Sequence, residues 1–388
     1  MKHWISGKVQ LGCDELRRCI KGKRVALMLN TSAIDNEGHL LVDTIVQEKW
    51  ADVRFYFGME HGIRGDKYAG DTEIDNIDRK TGLPIINLFE RADACPTVEE
   101  VQAVDAVVFC AQDIGVRHWT YTPWVMKLLK VCAKAGREVI IVDKPNPIRG
   151  DIVEGGCAEP FSYGLLAGFD YPLRHGMTVG ELALMYNEEK QIGAQLTVIP
   201  MEGWDRTMFF QQTGLVWMPP SPNIPTVDSI LYFATTGLMQ SANFSYGRGT
   251  TTPFQYVGDP CFDGDALAKE LNGRNIPGVF FIPKYYRAER WVNCSFEYAL
   301  CNGVMAVMWD REIYRPVTAQ LHMIDAICML YPEYVDLEAH KVTSRRRMGT
   351  NTICDLVLNH ESLLPVIEDW QAQAEAFEKR RKPWLLYK

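Results

Sequence analysis

The sequence VDAVVFCAQD (residues 104–113) contains an apolar run that no polar side chain interrupts between Ala106 and Ala111. A run that is apolar at every position indicates a strand buried on both faces, as in a parallel sheet covered by helices. Residues 40–50 and 122–135, on either side of this run, have helical periodicity. Similar apolar runs are KRVALMLN (23–30), VRFYFG (53–58) and EVIIVD (138–143). We therefore predict an α/β fold with a doubly wound, mostly parallel sheet.

The Pro-rich segment WMPPSPNIPT (residues 217–226) divides the chain into two predicted units. Its prolines favour an irregular linker or loop over the interior of a helix or strand. We expect a larger catalytic domain over residues 1–225. A smaller C-terminal α/β domain over residues 226–388 is expected to close a cleft against it.

Further elements are predicted on both sides of this segment. Thr178 and Glu181 have the spacing of a capping box, which marks the start of a helix. The predicted helices cover residues 177–190, 229–241, 316–330 and 362–381, and the predicted strands cover 195–201, 278–282 and 303–309.

The composition of the 388 residues, 47% hydrophobic and 23% charged, is that of a globular protein. It excludes a disordered chain, a collagen and a coiled coil. The formal net charge of −8 disfavours a broad nucleic-acid surface, so we expect no nucleic-acid partner. An anionic ligand would need a local cluster of arginine and histidine side chains. The oligomeric state is not indicated by the sequence.

The cellular compartment is predicted from what the sequence lacks. No stretch reaches the ~18 consecutive apolar residues of a membrane span, and the N-terminal sequence MKHWISGKVQ has no apolar signal-peptide core. The 11 cysteines form no CxxC pair, which favours buried, reduced thiols over a disulfide framework. We therefore expect a cytoplasmic protein without a membrane span.

Nucleotide and metal motifs are missing from the sequence. No GxGxxG follows the first predicted strand, and no GxxxxGK[ST] occurs, so a nucleotide cofactor is disfavoured. The histidines are scattered without the spacing of HExxH or another ligand set. We expect neither a cofactor nor a metal, and the lack of GxSxG argues against a serine hydrolase.

Polar residues follow each of the first four predicted strands. They are Asn30, Glu60–His61–Gly62, Gln112–Asp113 and Asp143–Asn146. Because ligands of open parallel sheets bind at the carboxyl ends of the strands, we expect these groups to lie along one edge.

Glu60 and His61 are two neighbouring titratable groups that can supply a general acid, unless they belong to an ordinary surface loop. Asp113 either lines a site with Arg117 and Tyr121 or caps the following helix. The turn at Asp143 and Asn146 is rigid because two prolines flank it, which fits a site and a purely structural turn equally well.

Three later loops carry further candidate ligand-binding residues. His175 precedes a predicted helix N-terminus, a place that favours an anion. Asn223 lies in the Pro-rich segment, and Ser245 and Arg248 lie in the Gly-rich loop 245–250. Arg248 is suited to hold a carboxylate by two parallel hydrogen bonds.

Taken in order, these loops resemble the NamZ-like exo-β-N-acetylmuramidases. The resemblance covers nearly the whole chain. The matching pieces are MEHGIRG (59–65), AQDIGVRHWTY (111–121), DKPNPIRG (143–150), PLRHGMTVGELA (172–183), Trp204 to Arg206, TGLVWMPPSPNIPT (213–226), NFSYGRGTTTPF (243–254) and the closing RRKPWLLYK (380–388).

This resemblance implies a Rossmann-like domain, a smaller α/β domain and a cleft between them. It implies release of N-acetylmuramic acid from the non-reducing ends of peptidoglycan fragments, with a small carbohydrate as partner and a role in cell-wall recycling. Glu60 is the implied general acid, and Asp113 is our candidate for a base or an electrostatic stabiliser. The candidate substrate-binding residues are His61, Arg64, Arg117, Tyr121, Asp143, Asn146, His175, Asn223, Ser245 and Arg248.

Four positions depart from the pattern of the family. Cys110 replaces an acidic residue, Lys144 replaces Arg, and Gln240 and Tyr246 each replace Glu. Two alternatives therefore stay open. The chain either binds muramic-acid sugars with impaired catalysis, or it acts on a different N-acyl sugar.

Overall fold

A six-stranded parallel sheet is the centre of the computed structural model, which describes residues 8–68, 76–289, 296–333, 335 and 341–388. The strands in chain order are β1 Arg24–Leu29, β2 Asp52–Gly58, β3 Ile85–Asn87, β4 Ala106–Cys110, β5 Glu138–Val142, β6 Glu154–Cys157, β7 Pro172–Arg174, β8 Gln195–Ile199, β9 Tyr256–Asp259, β10 Val279–Arg287 and β11 Leu300–Met308. The helices are α1 Cys13–Ile20, α2 Leu41–Gln47, α3 Val98–Gln102, α4 Tyr121–Ala135, α5 Val179–Glu189, α6 Phe210–Thr213, α7 Asp228–Thr236, α8 Gly264–Gly273, α9 Pro316–Leu330, α10 Lys341–Met348, α11 Thr352–Leu358 and α12 Leu364–Arg380.

The strand order of the large sheet is β3-β2-β1-β4-β5-β8, and all neighbours are parallel. The chain first moves outward from β1 to β3 and then returns to the other side of β1. Such a reversal leaves a crevice at the carboxyl ends of β1 and β4. The predicted doubly wound sheet is confirmed.

The central strands are apolar at every position because helices cover both faces of the sheet. In β1, Val25 and Leu27 pack into one core with α1 and α2, and Ala26 and Met28 pack into the other with α4 and α5. Successive strand residues point to opposite faces, so both sets need apolar side chains. The predicted capping box is also confirmed, because Thr178 Oγ1 accepts from Glu181 N and the Glu181 side chain accepts from Thr178 N.

A second, smaller sheet with the order β10-β11-β9 is antiparallel throughout. Helices α8 and α9 contribute Leu267, Ala268 and Ile324 to its core. The predicted α/β class with a smaller second unit is confirmed.

The last residues of the chain return to the large sheet. Tyr387 OH donates to Asp143 Oδ2, just past β5, over 2.7 Å. Leu386 N donates to Glu181 Oε1 in α5 over 2.7 Å. Arg381 Nη1 donates to the carbonyl of Gly150 over 2.7 Å. The unit that follows the Pro-rich segment is therefore joined to the first one at both ends.

Among the described ranges, the cysteines are free and none is joined in a disulfide. Cys294 lies outside those ranges. In the same part of the chain, no helix combines the length and apolar character that crossing a membrane requires.

Candidate active site

Hydrogen bonds between the loops hold the carboxyl ends of β1, β4 and β5 together. Asn30 Nδ2 lies 2.6 Å from Tyr121 OH, and Asn30 Oδ1 accepts from Ser32 N over 3.0 Å. The hydroxyl of Ser32 accepts from Gln112 N over 2.8 Å, while its carbonyl accepts from Lys144 Nζ over 2.7 Å. The expectation that these strand ends meet at one edge is confirmed.

A pocket of about 110 Å³ lies above this network. The loops after β2 and β4 form one side of it, and residues of α7, the Gly-rich loop and α10 form the other. Four of the predicted site residues line it, namely Glu60, His61, Asn223 and Arg248.

Glu60 is the one carboxylate among the described residues that line the pocket. Its Oε2 accepts a hydrogen bond from Thr120 Oγ1, at the start of α4, over 2.9 Å. The next residue, His61, has a φ of 72°, a left-handed conformation that costs free energy in a non-glycine residue. Backbone strain of this kind is concentrated at functional sites, so it supports a role for this turn.

His61 is buried and donates from Nδ1 to the carbonyl of Lys67 over 3.0 Å. Burial lowers its pKa, although the charge of Glu60 acts in the opposite direction. The ring is therefore neutral near pH 7, and its Nε2 carries a free lone pair.

Three stacked or edge-on rings form an aromatic wall of the same pocket. His118 stacks on Phe233 with ring centroids 4.8 Å apart, and Trp119 meets Phe233 edge-on at 5.8 Å. Gly237 makes room for this stack, because a Cβ there would collide with His118 Nε2. Burial lowers the pKa of His118 well below its usual value, so this ring is also neutral. The wall is suited to pack against the apolar face of a sugar ring.

Arg248 forms the basic side of the pocket with two of the residues that depart from the family pattern. Its Nη1 lies 3.4 Å from Gln240 Oε1 and 3.3 Å from Tyr246 OH. The guanidinium also lies over the Tyr246 ring, 5.9 Å from its centroid. Both partners are uncharged side chains, so neither balances the charge of Arg248 by an ion pair.

Arg347 also lines the pocket, although no pattern in the sequence predicts it there. Arg347 comes from α10, far from the other lining residues in sequence, and belongs to the run Arg345 to Arg347. Such a run is typical of a solvated helix face, and Arg346 beside it is indeed exposed. No local pattern distinguishes the inward arginine from the outward one.

Asp113, the predicted second catalytic group, is not among the residues that line the pocket. It is buried, with Oδ2 accepting from Gly115 N over 2.6 Å and Oδ1 from Thr122 Oγ1 over 3.0 Å. His175 Nε2 lies 3.3 Å from Oδ2, and its Nδ1 accepts from Met177 N over 3.2 Å. Asp113 and His175 therefore form a buried pair outside the residues that line the pocket.

Arg64 and Arg117 are also placed away from the pocket. Arg64 is paired with Asp78 at 2.7 Å and with Asp43 at 2.9 Å, so its charge is already balanced. Arg117 is fully buried and donates to the carbonyls of Gly156 over 2.8 Å and Met348 over 2.7 Å. The structure thus gives Arg117 a packing role instead of a direct place in the pocket.

Asp143 and Asn146 stabilise the strand end instead of facing the pocket. Asp143 accepts from Thr178 Oγ1 and from Gly180 N over 2.7 and 2.9 Å, which caps α5. Asn146 Nδ2 donates to the carbonyl of Met177 over 3.0 Å. These contacts correspond to the structural alternative for this turn.

Tyr121 and Ser245 lie next to the pocket without lining it. The hydroxyl of Tyr121 donates to the carbonyl of Pro220 over 2.8 Å, below the pocket floor. Ser245 pairs through its backbone with Gly258 at 2.9 Å. At the fourth departing position, burial raises the pKa of Cys110 to about 11, so this thiol is not a nucleophile near neutral pH.

Two larger cavities are less suited to be the active site, because charged side chains that line them already form ion pairs. One of about 370 Å³ contains Arg64 and Asp78, which already pair with each other. The other, of about 280 Å³, lies between Glu154 and Trp370, and Glu154 forms an ion pair with Arg174 at 2.7 Å. Throughout the described ranges, no three His, Cys, Asp or Glu side chains are grouped as metal ligands.

Comparisons with known proteins agree with this architecture. The family model described as exo-β-N-acetylmuramidase NamZ, N-terminal, matches residues 25–228, and the corresponding C-terminal model matches residues 231–387. The chain is 35% identical over 387 residues to the peptidoglycan β-N-acetylmuramidase NamZ of Bacillus subtilis (strain 168), which covers 98% of this chain and 92% of that protein.

Two solved structures have the same fold over nearly their whole length. Both are crystal structures of DUF1343 family proteins from Bacteroides fragilis NCTC 9343. One superposes with a TM-score of 0.90 at 29% identity, and the other with a TM-score of 0.75 at 25% identity. Each match covers 98% of this chain and 99% of the other. Because both halves match family models in the expected order, the chain belongs to the NamZ family of exo-β-N-acetylmuramidases.

Proposed function

We propose that this chain is an exo-acting glycoside hydrolase that releases N-acetylmuramic acid from the non-reducing ends of peptidoglycan fragments. The observation that carries the proposal is that Glu60, the lone carboxylate among the described lining residues, shares a pocket with an aromatic wall and Arg248. The relative from Bacillus subtilis, similar over nearly the whole chain, is named for this activity.

Glu60 acts as the general acid in this proposal. The hydrogen bond from Thr120 orients Oε2, so that Oε1 can deliver a proton to the glycosidic oxygen. Protonation of that oxygen allows the bond to the anomeric carbon to break, as in other glycosidases. Asp113 is a positioning residue, because its bond to Thr122 fixes the first turn of α4, which also carries Thr120.

The remaining lining residues fit a terminal sugar. Asn223 Nδ2 is buried without a hydrogen-bond partner among the described residues, so it is free to donate to a sugar hydroxyl or acetyl oxygen. The volume of about 110 Å³ is smaller than the ~300–1,000 Å³ typical of ligand pockets. A small pocket favours the end of a glycan over an internal segment, which supports exo action.

We place this activity in the cytoplasm, in the recycling of cell-wall fragments. The free cysteines of the described ranges support a reducing compartment, because extracellular proteins of this cysteine content usually form disulfides. Fractionation of the native host with an antibody against this chain checks the placement.

The test compares hydrolysis of a chromogenic β-N-acetylmuramide with that of the matching β-N-acetylglucosaminide. We expect turnover of the muramide, and a loss of roughly 10²–10⁴-fold in kcat for Glu60→Gln. Glu90→Gln, at an exposed position, is the matched control and should behave as the wild type. Retained activity of a folded Glu60→Gln protein would remove Glu60 from the mechanism.

A second candidate function is binding without cleavage, favoured by the two uncharged side chains at Arg248. Gln240 and Tyr246 stand where the family pattern has carboxylates, and both contact this arginine. Binding of free N-acetylmuramic acid together with no release from either glycoside would support this alternative. Release from the glucosaminide as well would indicate a broader N-acyl-sugar hydrolase.

A further inference from the structure

Arg347 lies in the candidate pocket, but the proposed reaction does not use it. Its Nε and Nη1 atoms are buried and have no hydrogen-bond partner among the described residues. Within the same part of the chain it forms no ion pair. Charged side chains are rarely buried unless they are paired, because taking a charge out of water is costly. A buried guanidinium with two unused nitrogens therefore points to a ligand that completes it.

Among the described residues that line the pocket, basic side chains outnumber acidic ones. Arg248 and Arg347 both line it, and the only carboxylate among the described lining residues is Glu60. Burial lowers the pKa of Arg347, and the nearby charge of Arg248 lowers it further, while Tyr246 and Glu60 act in the opposite direction. Arg347, with two buried donors unused among the described residues and a second arginine nearby, is therefore a local site for an anion in a chain whose net charge is −8.

The fold holds Arg347 in this position through Arg117. The guanidinium of Arg117 donates from Nη2 to the carbonyl of Met348, directly after Arg347, and from Nη1 to Gly156 in β6. Gly349 allows this approach, because a Cβ there would collide with Arg117 Nη2. The buried cross-link fixes the end of α10 against the first unit, so Arg347 enters the pocket from a rigid support.

We propose that Arg347, with Arg248 beside it, binds the lactyl carboxylate of N-acetylmuramic acid and thereby selects this sugar over N-acetylglucosamine. The inference rests on the proposed function and deepens it. The lactyl group is the chemical difference between the two sugars, and its carboxylate can accept the hydrogen bonds that Nε and Nη1 of Arg347 do not make among the described residues. A guanidinium suits this task because it is always protonated and donates several hydrogen bonds to a carboxylate.

The experiment measures calorimetric binding of free N-acetylmuramic acid and of N-acetylglucosamine, together with turnover of the two chromogenic glycosides. The variants are Arg347→Met, the charge-conserving Arg347→Lys and the control Arg346→Met. Arg346 precedes Arg347 on the same helix and is exposed. Thermal unfolding of each variant establishes that it is folded. If Arg347→Met does not fold, the comparison with the wild type is made with Arg347→Lys.

We expect Arg347→Met to weaken binding of N-acetylmuramic acid roughly 10–100-fold and to leave binding of N-acetylglucosamine unchanged. Arg347→Lys should show an intermediate loss, because the charge remains but the planar hydrogen-bonding group is lost. Arg346→Met should match the wild type. An equal loss for both sugars, no loss for either, or a wild type that does not prefer the muramic sugar would overturn the inference.

The two proposals can fail separately in this design. A wild type that binds N-acetylmuramic acid through Arg347 but hydrolyses neither glycoside overturns the hydrolase proposal and supports the carboxylate site. A wild type that hydrolyses the muramide, with unchanged sugar preference in folded Arg347→Met, overturns the carboxylate site and supports the hydrolase.

Discussion

Asp143 shows how burial and hydrogen bonding oppose each other at a single residue. Burial raises its pKa to about 6, although Thr178, Tyr387 and Gly180 each donate a hydrogen bond that lowers it. The folded protein therefore binds a proton at Asp143 more readily than the unfolded chain, whose aspartate pKa is ~3.9. The contribution of this carboxyl to stability falls as the pH rises from about 4 to about 6.

Replacing Asp143 by Asn should remove this pH dependence. Between pH 4 and 7, we expect the free energy of unfolding of the wild type, relative to Asp143→Asn, to fall by up to about 3 kcal/mol. Urea unfolding at pH 4.5, 5.5 and 7 measures this difference.

The control for this experiment is Asp105→Asn. Arg24 holds the pKa of exposed Asp105 down at about 2, so its contribution is lost only in more acidic solution. The difference in free energy of unfolding between Asp105→Asn and the wild type should therefore stay constant between pH 5 and 7. A flat profile for Asp143→Asn as well would contradict the argument from burial.

At the candidate site, the sequence predicts some lining residues and misses others for a physical reason. Glu60 and His61 follow a strand directly, so the rule for parallel sheets finds them. Arg347 reaches the same pocket only because distant segments fold against each other, and its own neighbours in sequence give no hint of this. Conversely, Arg117 belongs to a polar motif that suggests a site, but its guanidinium donates hydrogen bonds to backbone carbonyls and does not line the pocket.

Helices α5 and α3 both begin with a threonine capping box, but their first turns differ in how deeply they are buried. Thr178 in α5 is buried, and its hydroxyl both accepts from Glu181 N and donates to Asp143 Oδ2. Thr97 in α3 has the same capping box near the surface, with Oγ1 accepting from Glu100 N over 3.2 Å.

We expect Thr178→Ala to cost about 2 kcal/mol in the free energy of unfolding, because it also removes one of the donors to the buried Asp143 carboxyl. Thr97→Ala should cost about 1 kcal/mol or less, because water replaces the lost contact. Urea unfolding of both variants at pH 7 measures the difference. Equal losses would show that burial adds nothing to this cap.

Long strands could be predicted, and short ones could not. The runs that became β1, β2, β4 and β5 are apolar enough to be recognised alone, because both faces of the sheet are covered. Strand β6, with the sequence EGGC, and the three-residue β3 have no such signal. Their pairing depends on partners elsewhere in the chain, which local patterns do not contain.

At the scale of the whole molecule, we propose two domains, residues 1–225 and 226–388, with the candidate pocket between them. The large sheet ends with β8 at Ile199, and the small sheet begins with β9 at Tyr256. Glu60 comes from the first unit, whereas Arg248 and Arg347 come from the second. A pocket built from both units explains why catalysis and sugar recognition would depend on their mutual position.

The returning C-terminal segment should be required for the stability of the first unit. Deleting residues 381–388 removes the hydrogen bonds to Asp143, Glu181 and Gly150. We expect a loss of several kcal/mol, because Asp143 and Glu181 are buried and each loses a donor.

Thermal unfolding and limited proteolysis measure the effect of this deletion. The milder control is Tyr387→Phe, which removes one hydroxyl and should cost about 1–3 kcal/mol. A melting temperature equal to that of the wild type after the deletion would contradict a stabilising role.

The hydrogen bond from Tyr387 to Asp143 also has a consequence for synthesis on the ribosome. The last strand of the large sheet ends at Ile199, but Tyr387, whose side chain completes the cap at Asp143, is translated much later. At ~5–20 residues per second, the nascent first unit waits roughly 10–40 s for it. During that interval Asp143 lacks one of the donors that the complete fold gives it, so the first unit reaches its full stability only after Tyr387 has been added.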